Sequence, residues 1–187
     1  CLEFRRLLFR SLIIVPGANR VETYQNVSSA QNFGFEVEFR KNFAFAADAL
    51  RDLYIAGNVA IIESSVDLGD DVGATTEEER ALYGQSPYVI NFSLNYDNPD
   101  LKKTAALIYN VFGERIVGVG AEGLPDEKEQ PFHQLDFVAG TALGAGWTMK
   151  AKIKNILGED VEVTQRDRVV EKYEKPREYS VSFSWSF

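Results

Sequence analysis

The stretch that decides the fold is Tyr179-Ser180-Val181-Ser182-Phe183-Ser184-Trp185-Ser186-Phe187, in which large apolar and small polar side chains alternate without exception. Successive side chains of a β-strand point to opposite faces of its sheet. The stretch therefore predicts a strand with one apolar, largely aromatic face and one face of serine hydroxyls. In a soluble sandwich the apolar face would point into a core, and the alternation alone leaves that alternative open.

The same alternation recurs upstream, in residues 33–39, 88–96 and 147–153, where charged or amide side chains such as Glu36 and Lys150 separate the apolar ones. Together with the turn signals between them, these patterns predict an all-β fold. The candidate strands cover residues 21–41, 53–66, 83–97, 103–118, 131–143, 147–157 and 176–187. The charged residues on their polar faces suit a water-filled pore as well as an exposed sheet.

Composition excludes several classes of protein. The 187 residues are 45% hydrophobic, yet no run approaches the roughly 18 to 20 apolar residues of a membrane-spanning helix. The net charge of −8, with scattered basic residues, argues against nucleic acid as a partner. Cys1 is the single cysteine, so neither an intramolecular disulfide nor a cysteine metal site is expected.

The connections between the candidate strands alternate between short and long. If the last strand ends on the periplasmic side, residues 42–52, 97–102 and 144–146 form short periplasmic turns. Residues 68–82, 119–130 and 158–175 then form long, charged outer loops. This asymmetry is typical of outer-membrane barrels, which close because no backbone group can stay unpaired in lipid. We therefore expect a segment of an antiparallel, up-and-down transmembrane β-barrel, about seven to eight strands long, whose apolar rows contact outer-membrane lipid.

Aromatic residues lie near the ends of the candidate strands. We expect Tyr88, Tyr96 and Trp147 to form part of the aromatic girdles at the two membrane interfaces, with Tyr179 and Phe187 at the ends of the last strand. The alternative is that they are core aromatics of a soluble sheet. The two alternatives differ in whether a second layer of protein covers the apolar rows.

Over residues 16–187 the chain resembles the TonB-dependent outer-membrane receptors. Each block of the resemblance is short, and their order and spacing, together with the terminal Phe187, make the joint match specific. The blocks are Asn26-Val27-Ser28-Ser29-Ala30-Gln31-Asn32-Phe33-Gly34-Phe35-Glu36-Val37-Glu38, Gly57-Asn58-Val59-Ala60, Gly84-Gln85-Ser86-Pro87-Tyr88-Val89-Ile90-Asn91, Tyr109-Asn110-Val111-Phe112-Gly113-Glu114-Arg115-Ile116, Leu135-Asp136 and Lys154-Asn155-Ile156-Leu157-Gly158. The head, residues 1–14, does not resemble the preceding strand of the family.

The resemblance implies a 22-stranded barrel that surrounds an N-terminal plug and imports a scarce nutrient with energy passed on by TonB. Residues 1–187 would be its C-terminal portion, and the plug, the TonB-contacting segment and the signal peptide would lie outside this chain. The nutrient stays open among siderophores, cobalamin, sugars and peptides. The resemblance also implies that the barrel-assembly machinery reads Tyr179, Val181, Phe183, Trp185 and Phe187, by adding their strand to an unpaired edge.

Other functions have weaker support in the sequence. His133 is the only histidine, and Asp136, at an odd spacing from it, is expected on the opposite face of one strand, so catalysis is not expected. The acidic residues 67–71 and 77–79 lack the spacing of a known calcium loop, and neither a metal nor a cofactor is expected. The main alternative is a self-contained barrel of about eight strands with a structural or adhesive role, in which the head supplies the eighth strand.

Overall fold

The computed structural model describes residues 10–15, 21–69, 75–77 and 79–186. Their regular structure consists of β-strands and two short 3-10 helices, Phe43–Phe45 and Asp48–Leu50, which confirms the all-β prediction. The strands are β1 (Arg10–Val15), β2 (Val21–Asn26), β3 (Ser29–Asn42), β4 (Leu53–Asp67), β5 (Glu79–Arg80), β6 (Tyr88–Asn98), β7 (Lys103–Phe112), β8 (Arg115–Gly118), β9 (Glu127–Glu129), β10 (Phe132–Gly144), β11 (Trp147–Lys154), β12 (Val161–Gln165), β13 (Arg168–Tyr173) and β14 (Glu178–Trp185).

Seven long strands form an antiparallel sheet in the order β3-β4-β6-β7-β10-β11-β14, which we call the long sheet, and the two-residue β5 pairs with the end of β4 as its eighth strand. Each of them pairs with the next long strand along the chain, which is the up-and-down connectivity that the sequence predicts. β3 and β14 are its two edges, and no pairing in the described part of the chain joins them. The described strands therefore form an antiparallel sheet that is open, and a closed barrel is not observed.

The register sorts the side chains of the long sheet onto two faces, because directly paired residues point the same way. One row crosses all seven strands, through Lys41, Ile55, Leu94, Leu107, Phe137, Ile153 and Tyr179. One neighbouring row on the same side contains Val59, Ile90 and Val111, and another contains Ala151 and Val181. We call this side the apolar face and the opposite side, which carries the serines of β14, the polar face.

The strands are staggered along this row. The row begins at the last residue but one of β3 and reaches β14 at its second residue, although the two strands run in the same direction. The position of the row is measured from the ends of the strands at which the short connections lie. By this measure it shifts by roughly five residues over six pairings, which corresponds to a strand tilt of about 30°. Closing a sheet into a barrel requires a stagger of this kind, with tilts of about 35 to 45°.

Gly57 in β4 makes room for an aromatic contact on the apolar face. It lies between Phe39 of β3 and Phe92 of β6, whose ring centroids are 6.4 Å apart. A Cβ at position 57 would lie 3.1 Å from the Phe39 ring and 2.5 Å from the carbonyl oxygen of Asn91. A larger residue at this position would therefore push the neighbouring strands apart.

All three short connections lie at one end of the long sheet, the short-turn end, as the sequence predicts: residues 43–52, 99–102 and 145–146. In the last of them Ala145 and Gly146 both have positive φ, 48° and 81°. This is the pattern of a two-residue type I′ turn, whose twist matches that of the flanking strands.

The long connections lie at the opposite end, the loop end, and they are not simple loops. β8, β9, β12 and β13 form a second antiparallel sheet, the loop sheet, in the order β13-β12-β9-β8. The predicted strand 103–118 is therefore wrong as one element, because the chain leaves the long sheet after Phe112 and continues as β8. The predicted loops 119–130 and 158–175 contain β9, β12 and β13, because Val161 and Val163 are buried there and supply a small core.

Other boundaries also differ from the sequence prediction: the predicted strand 147–157 ends at Lys154, and the predicted loop 68–82 contains β5. The predicted strand 21–41 is interrupted at residues 27–28, because β4 pairs with β3 only as far as Ser29, and β2 pairs with β1 instead. The predicted strand 83–97 begins only at Tyr88. Of the head, residues 10–14 belong to β1, and residues 1–9 lie outside the described residues.

The buried core of the described residues lies at the loop end. Val66, Val119, Phe132, Val161 and Val163 are among its members, and each is at most 6% exposed. By contrast, none of the residues in the middle of the long sheet, on either face, is buried. The long sheet is thus a single layer of protein in the described chain, joined to a small core at one end.

Candidate membrane-facing surface and loop layer

The apolar face of the long sheet has no covering layer among the described residues. Phe35 is 63% exposed, Val181 61% and Phe183 60%, and even Leu94 in a central strand is 39% exposed. Burial of a large aliphatic or aromatic side chain contributes about 1.5 to 3 kcal/mol, so such a face requires an apolar environment. A contiguous apolar surface of this extent marks an interface with a membrane or with another protein.

The predicted girdle residues lie on this face, at its two ends. Tyr88, opposite Ile61, lies at the loop end, whereas Tyr96 and Trp147 lie at the short-turn end. Tyr88 and Tyr96 are the two ends of the same strand, and eight residue steps of about 3.4 Å separate them by about 27 Å along the strand. The apolar band of outer-membrane barrels is about 25 Å tall.

The predicted assembly residues form the apolar row of β14. Tyr179, Val181, Phe183 and Trp185 all lie on the apolar face, opposite Ile153, Ala151, Met149 and Trp147. All four are more than half exposed, and β14 offers an unpaired edge on its other side. Phe187 lies outside the described residues, so its position in this row stays a prediction.

The polar face carries amide and charged side chains linked across the strands. The Nδ2 atom of Asn58 donates to Oε1 of Glu36 at 2.6 Å, and Nδ2 of Asn91 donates to Oδ1 of Asn58 at 2.8 Å. These bonds form a chain across β3, β4 and β6. Near the β14 edge of the sheet, on the same polar face, Lys150 and Lys152 lie opposite Ser182 and Ser180. Ile108 of β7 and Val138 of β10 lie on the same face, so it is polar on most strands but not across its whole width. Its polar parts suit contact with water or with a polar protein surface.

We use the term loop layer for the loop sheet together with β5 and the connecting residues around it. A buried ion pair stabilises this layer. Arg80 of β5 and Asp126 are both 1% exposed in their side chains, with Nη1 3.4 Å from Oδ1. Nη2 of Arg80 also donates to Oγ of Ser11 at 2.9 Å, and Oδ1 of Asp126 accepts from the backbone N–H of Gly120 at 2.7 Å. A buried charge is tolerated when it is paired and hydrogen-bonded, so this cluster ties β1, β5 and the residues before β9 together.

A second, more exposed ion pair joins Glu114, which precedes β8, to Lys128 in β9. Nζ of Lys128 lies 2.8 Å from Oε1 of Glu114, and the side chains are 46% and 42% exposed. The hydrogen bond from Lys128 lowers the pKa of the Glu114 carboxyl below its ordinary value, and the same bond raises the pKa of Lys128. Because both groups are largely in solvent, the pair contributes little to the free energy of folding.

Asn155 fixes the base of the last long connection. It is 1% exposed and adopts a positive φ of 50°. Its Nδ2 donates to the backbone oxygens of Glu159 and Lys175, at 3.3 and 2.6 Å, and its own N–H donates to Oδ1 of Asp136 at 2.9 Å. The Asn155 side chain thus joins the beginning and the end of the connection, and its backbone N–H joins them to β10.

His133 and Asp136 do not meet. Their register positions, opposite Val111 and Ile108, place them on opposite faces of β10, as the sequence predicts. Nδ1 of His133 lies 2.6 Å from the Tyr109 hydroxyl, whereas Asp136 accepts from Gln134 and Asn155. Among the residues that the structure describes, no three His, Cys, Asp or Glu side chains are placed to hold a metal ion. Asp70, Asp71 and Glu78, which belong to the two acidic stretches, lie outside the described residues.

No family model, curated protein or solved structure matches the chain. The resemblance to TonB-dependent receptors therefore rests on the quoted motifs and their order. In the described residues, no helix is long and apolar enough to cross a membrane.

The structure assigns definite places to several of the quoted motifs. Gly57-Asn58-Val59-Ala60 supplies the gap beside Phe39 and the centre of the amide chain, and Lys154-Asn155-Ile156-Leu157-Gly158 supplies the buried Asn155. The sequence did not reveal the pair of Arg80 and Asp126. These residues are far apart in the sequence, belong to no periodic pattern, and come together only through the fold of the loop layer.

Proposed function

We propose that the chain is the C-terminal portion of the wall of an outer-membrane β-barrel of the TonB-dependent receptor type, which imports a scarce nutrient. The observation that carries the proposal is the apolar face, which continues across seven strands without a covering layer in the described chain. A soluble sandwich would bury these rows against a second sheet. In a barrel wall the same rows contact lipid and the polar face lines the interior.

Three further features support a wall of a larger barrel. The strands are staggered by close to one residue per pairing, short connections are confined to one end, and aromatic residues lie at both ends of the apolar face. The unpaired edges β3 and β14 would pair with the rest of the barrel, since in lipid every backbone group needs a partner. The head strand β1 pairs with β2 and is not an eighth strand of the long sheet, which favours a larger barrel over a self-contained small one.

The proposed orientation places the loop sheet outside the cell, where it contributes to ligand capture. Connecting segments on a rigid scaffold commonly carry recognition. Here the capture surface is structured, because β8, β9, β12 and β13 pair with one another and the ion pair of Arg80 and Asp126 fixes their base. The energy for import would come from TonB through the plug of the full-length protein.

Location and orientation can be tested on intact cells that express the full-length protein. Single cysteines replace Leu124 in the loop layer, 44% exposed, and Asp100 in a short turn, whose side chain is 82% exposed, with Cys1 changed to Ser. A maleimide that cannot cross the outer membrane should label Leu124→Cys on intact cells and label Asp100→Cys only after the membrane is opened. Equal labelling of both positions on intact cells would contradict the orientation.

The transport part of the proposal needs a separate test. Replacing residues 119–126 and 155–177 by short glycine-serine links in the full-length receptor should abolish uptake of its nutrient while the barrel still reaches the outer membrane. Unchanged uptake in this variant would exclude a role of these connections in capture. The matched control is a replacement within the short turn 99–102, which should leave uptake intact.

A further inference from the structure

Lysines occupy every second position on the polar face of β11, at Lys150, Lys152 and Lys154. The residues directly opposite them on β14 are Ser182, Ser180 and Glu178. Lys154 has its carboxylate partner there, since its Nζ lies 3.1 Å from Oε2 of Glu178. The other two lysines face serine hydroxyls instead, so this strand pair does not compensate their charges.

The strand on the other side of β11 supplies no carboxylate to these two lysines either. Gly140 and Val138 of β10 lie opposite Lys150 and Lys152. Asp136, farther along β10, already accepts a backbone N–H at 2.9 Å through its Oδ1. In the described part of the chain, neither lysine forms an ion pair with a carboxylate. Two uncompensated cations therefore lie side by side on the polar face.

The two lysines and the two serines form a compact group, which we call the lysine–serine strip: Lys150, Lys152, Ser180 and Ser182. Two steps along a strand cover about 6.8 Å, and directly opposite residues of an antiparallel pair have Cα atoms about 4.5 to 5.5 Å apart. Lys152 is half-buried and the other three residues are exposed. The Ser182 hydroxyl makes one long bond, 3.5 Å to the backbone oxygen of Lys150. Two ammonium groups and two hydroxyls thus lie within reach of one small anion.

Other cations of the long sheet without an ion-pair partner are not grouped in this way. Lys41 and Lys103 lie on the apolar face, three strand pairings apart. Lys102 lies in a short turn, with a positive φ of 49°. Arg40, on the polar face, lies over the ring of Tyr54, with its Cζ 4.2 Å from the centroid.

We propose that the lysine–serine strip binds the phosphate group of a solute on the pore side of the wall. At neutral pH a phosphate monoester carries a charge of about −1.5 to −2, which matches the two uncompensated ammonium groups. Its terminal oxygens accept charge-assisted hydrogen bonds from ammonium groups, and the serine hydroxyls donate further bonds. The site rests on the proposed function for its place in a water-filled pore, and it adds that the solute carries phosphate.

The test measures the acylation of individual lysines in isolated outer membranes that contain the full-length protein. A water-soluble succinimidyl ester modifies accessible amines, and peptide mass spectrometry reports the rate at each lysine. Inorganic phosphate, titrated at constant ionic strength, should slow the modification of Lys150 and Lys152 along a saturable curve. The rate should fall about threefold once phosphate reaches about twice its dissociation constant. Acetate at the same concentrations should protect less, and Lys102 and Lys103 should keep their rates.

Two double variants separate a built site from the general attraction of anions by positive charge. Ser180→Ala with Ser182→Ala keeps both charges and should raise the phosphate concentration of half-protection about tenfold, since two hydrogen bonds are lost. Thr148→Ala with Ser184→Ala is the matched control, because it removes two hydroxyls that lie opposite each other on the same two strands. This control should leave the concentration of half-protection unchanged.

Three results would overturn the phosphate site. They are equal slowing at Lys102 and Lys103, protection by acetate as strong as that by phosphate, and an unchanged half-protection in the double serine variant. Lys150 and Lys152 that are unreactive already without phosphate would overturn it as well, because an acidic protein segment would then occupy the strip.

The proposed function is tested separately in the same membranes. A lipid-soluble carbene reagent should label Val181 and Phe183, which lie on the apolar face of β14. Absence of this labelling would reject the lipid-facing wall, whereas saturable protection of the lysines by phosphate would still support the site.

Discussion

Trp147 and Trp185 lie directly opposite each other on β11 and β14, with ring centroids 6.3 Å apart and ring planes at 28°. Nε1 of Trp185 also donates to the backbone oxygen of Ala145 in the adjoining turn, at 3.1 Å. β14 is an edge strand of the described sheet, and the backbone N–H of Ser186 also donates to the Gly146 oxygen at 3.0 Å. The aromatic pair therefore anchors the last strand at the short-turn end.

The first prediction concerns this pair. Aromatic pairs contribute about 0.5 to 1.5 kcal/mol beyond the area that they bury, so Trp147→Ala and Trp185→Ala should show a coupling energy in that range. Urea unfolding of the full-length protein in vesicles, followed by circular dichroism, measures the free energies of unfolding of the single and double variants. Trp185→Ala combined with Ile153→Ala is the control and should be additive. Additivity of the tryptophan pair would show that the stacking contributes nothing.

The second prediction concerns recognition of the last strand during assembly. Removal of Phe187 from the full-length protein should lower its level in the outer membrane, because strand addition reads alternate side chains along an unpaired edge. Immunoblots of membrane fractions measure the level, and Ser186→Ala, which alters the opposite face, serves as the matched control. Normal membrane levels without Phe187 would count against the assembly signal.

The third prediction concerns the buried ion pair of the loop layer. Asp126→Asn should destabilise that layer by about 3 kcal/mol, because it removes a carboxylate that is paired with the buried guanidinium of Arg80. Hydrogen exchange of the Val119 and Val163 amides would report the local opening. Asp167→Asn, at an exposed position in the β12 to β13 turn, is the control. If both variants opened the layer equally, the ion pair would have no special structural role.

The fourth prediction is the pH dependence of the pair of Glu114 and Lys128. The pKa of Glu114 is lowered from 4.5, so its contribution is present above pH 4.5 and disappears as the pH falls through the lower, folded pKa. The pKa of Lys128 is raised from 10.5, so its contribution is present below pH 10.5 and is lost as the pH rises through the higher, folded pKa.

Lys128→Gln should therefore lower the free energy of unfolding of the loop layer between pH 4.5 and pH 10.5. Its effect should be smaller below the folded pKa of Glu114 and above the folded pKa of Lys128. The effect should be about 0.5 kcal/mol or less and should shrink in high salt, since both side chains are exposed. Hydrogen exchange of the β8 and β9 amides at pH 3, 7 and 11 would measure it, with Glu122→Gln as a control in the same connection. A difference that is constant over this whole pH range would contradict the assignment.

The strands of the long sheet could be predicted from the sequence because alternation is a local property. Residues 33–39 and 179–185 show their apolar side chains at every second position, and the register then aligns these rows on one face without further information. The positions of Tyr88, Tyr96 and Trp147 follow in the same way, since they stand at the ends of such rows.

The loop sheet could not be predicted in this way. β8, β9 and β12 span only Arg115–Gly118, Glu127–Glu129 and Val161–Gln165, which is too short for a clear period. The partners Arg80 and Asp126 are specified by the packing of three connections, which no local pattern encodes. Asn155 gave a partial signal, because it belongs to a quoted motif, but its bonds to Glu159 and Lys175 depend on how the connection folds back.

The most direct measurement of the central claim is the environment of alternate residues along β6. Spin labels at Asn91, Phe92, Ser93 and Leu94, introduced one at a time as cysteines into the full-length protein in vesicles with Cys1 changed to Ser, can be compared for relaxation by oxygen and by a water-soluble nickel complex. We predict that the labels at Phe92 and Leu94 are relaxed by oxygen, which concentrates in lipid, and that those at Asn91 and Ser93 are relaxed by the nickel complex. Equal accessibility of all four labels to the nickel complex, or protection of Phe92 and Leu94 from both reagents, would contradict a lipid-facing wall.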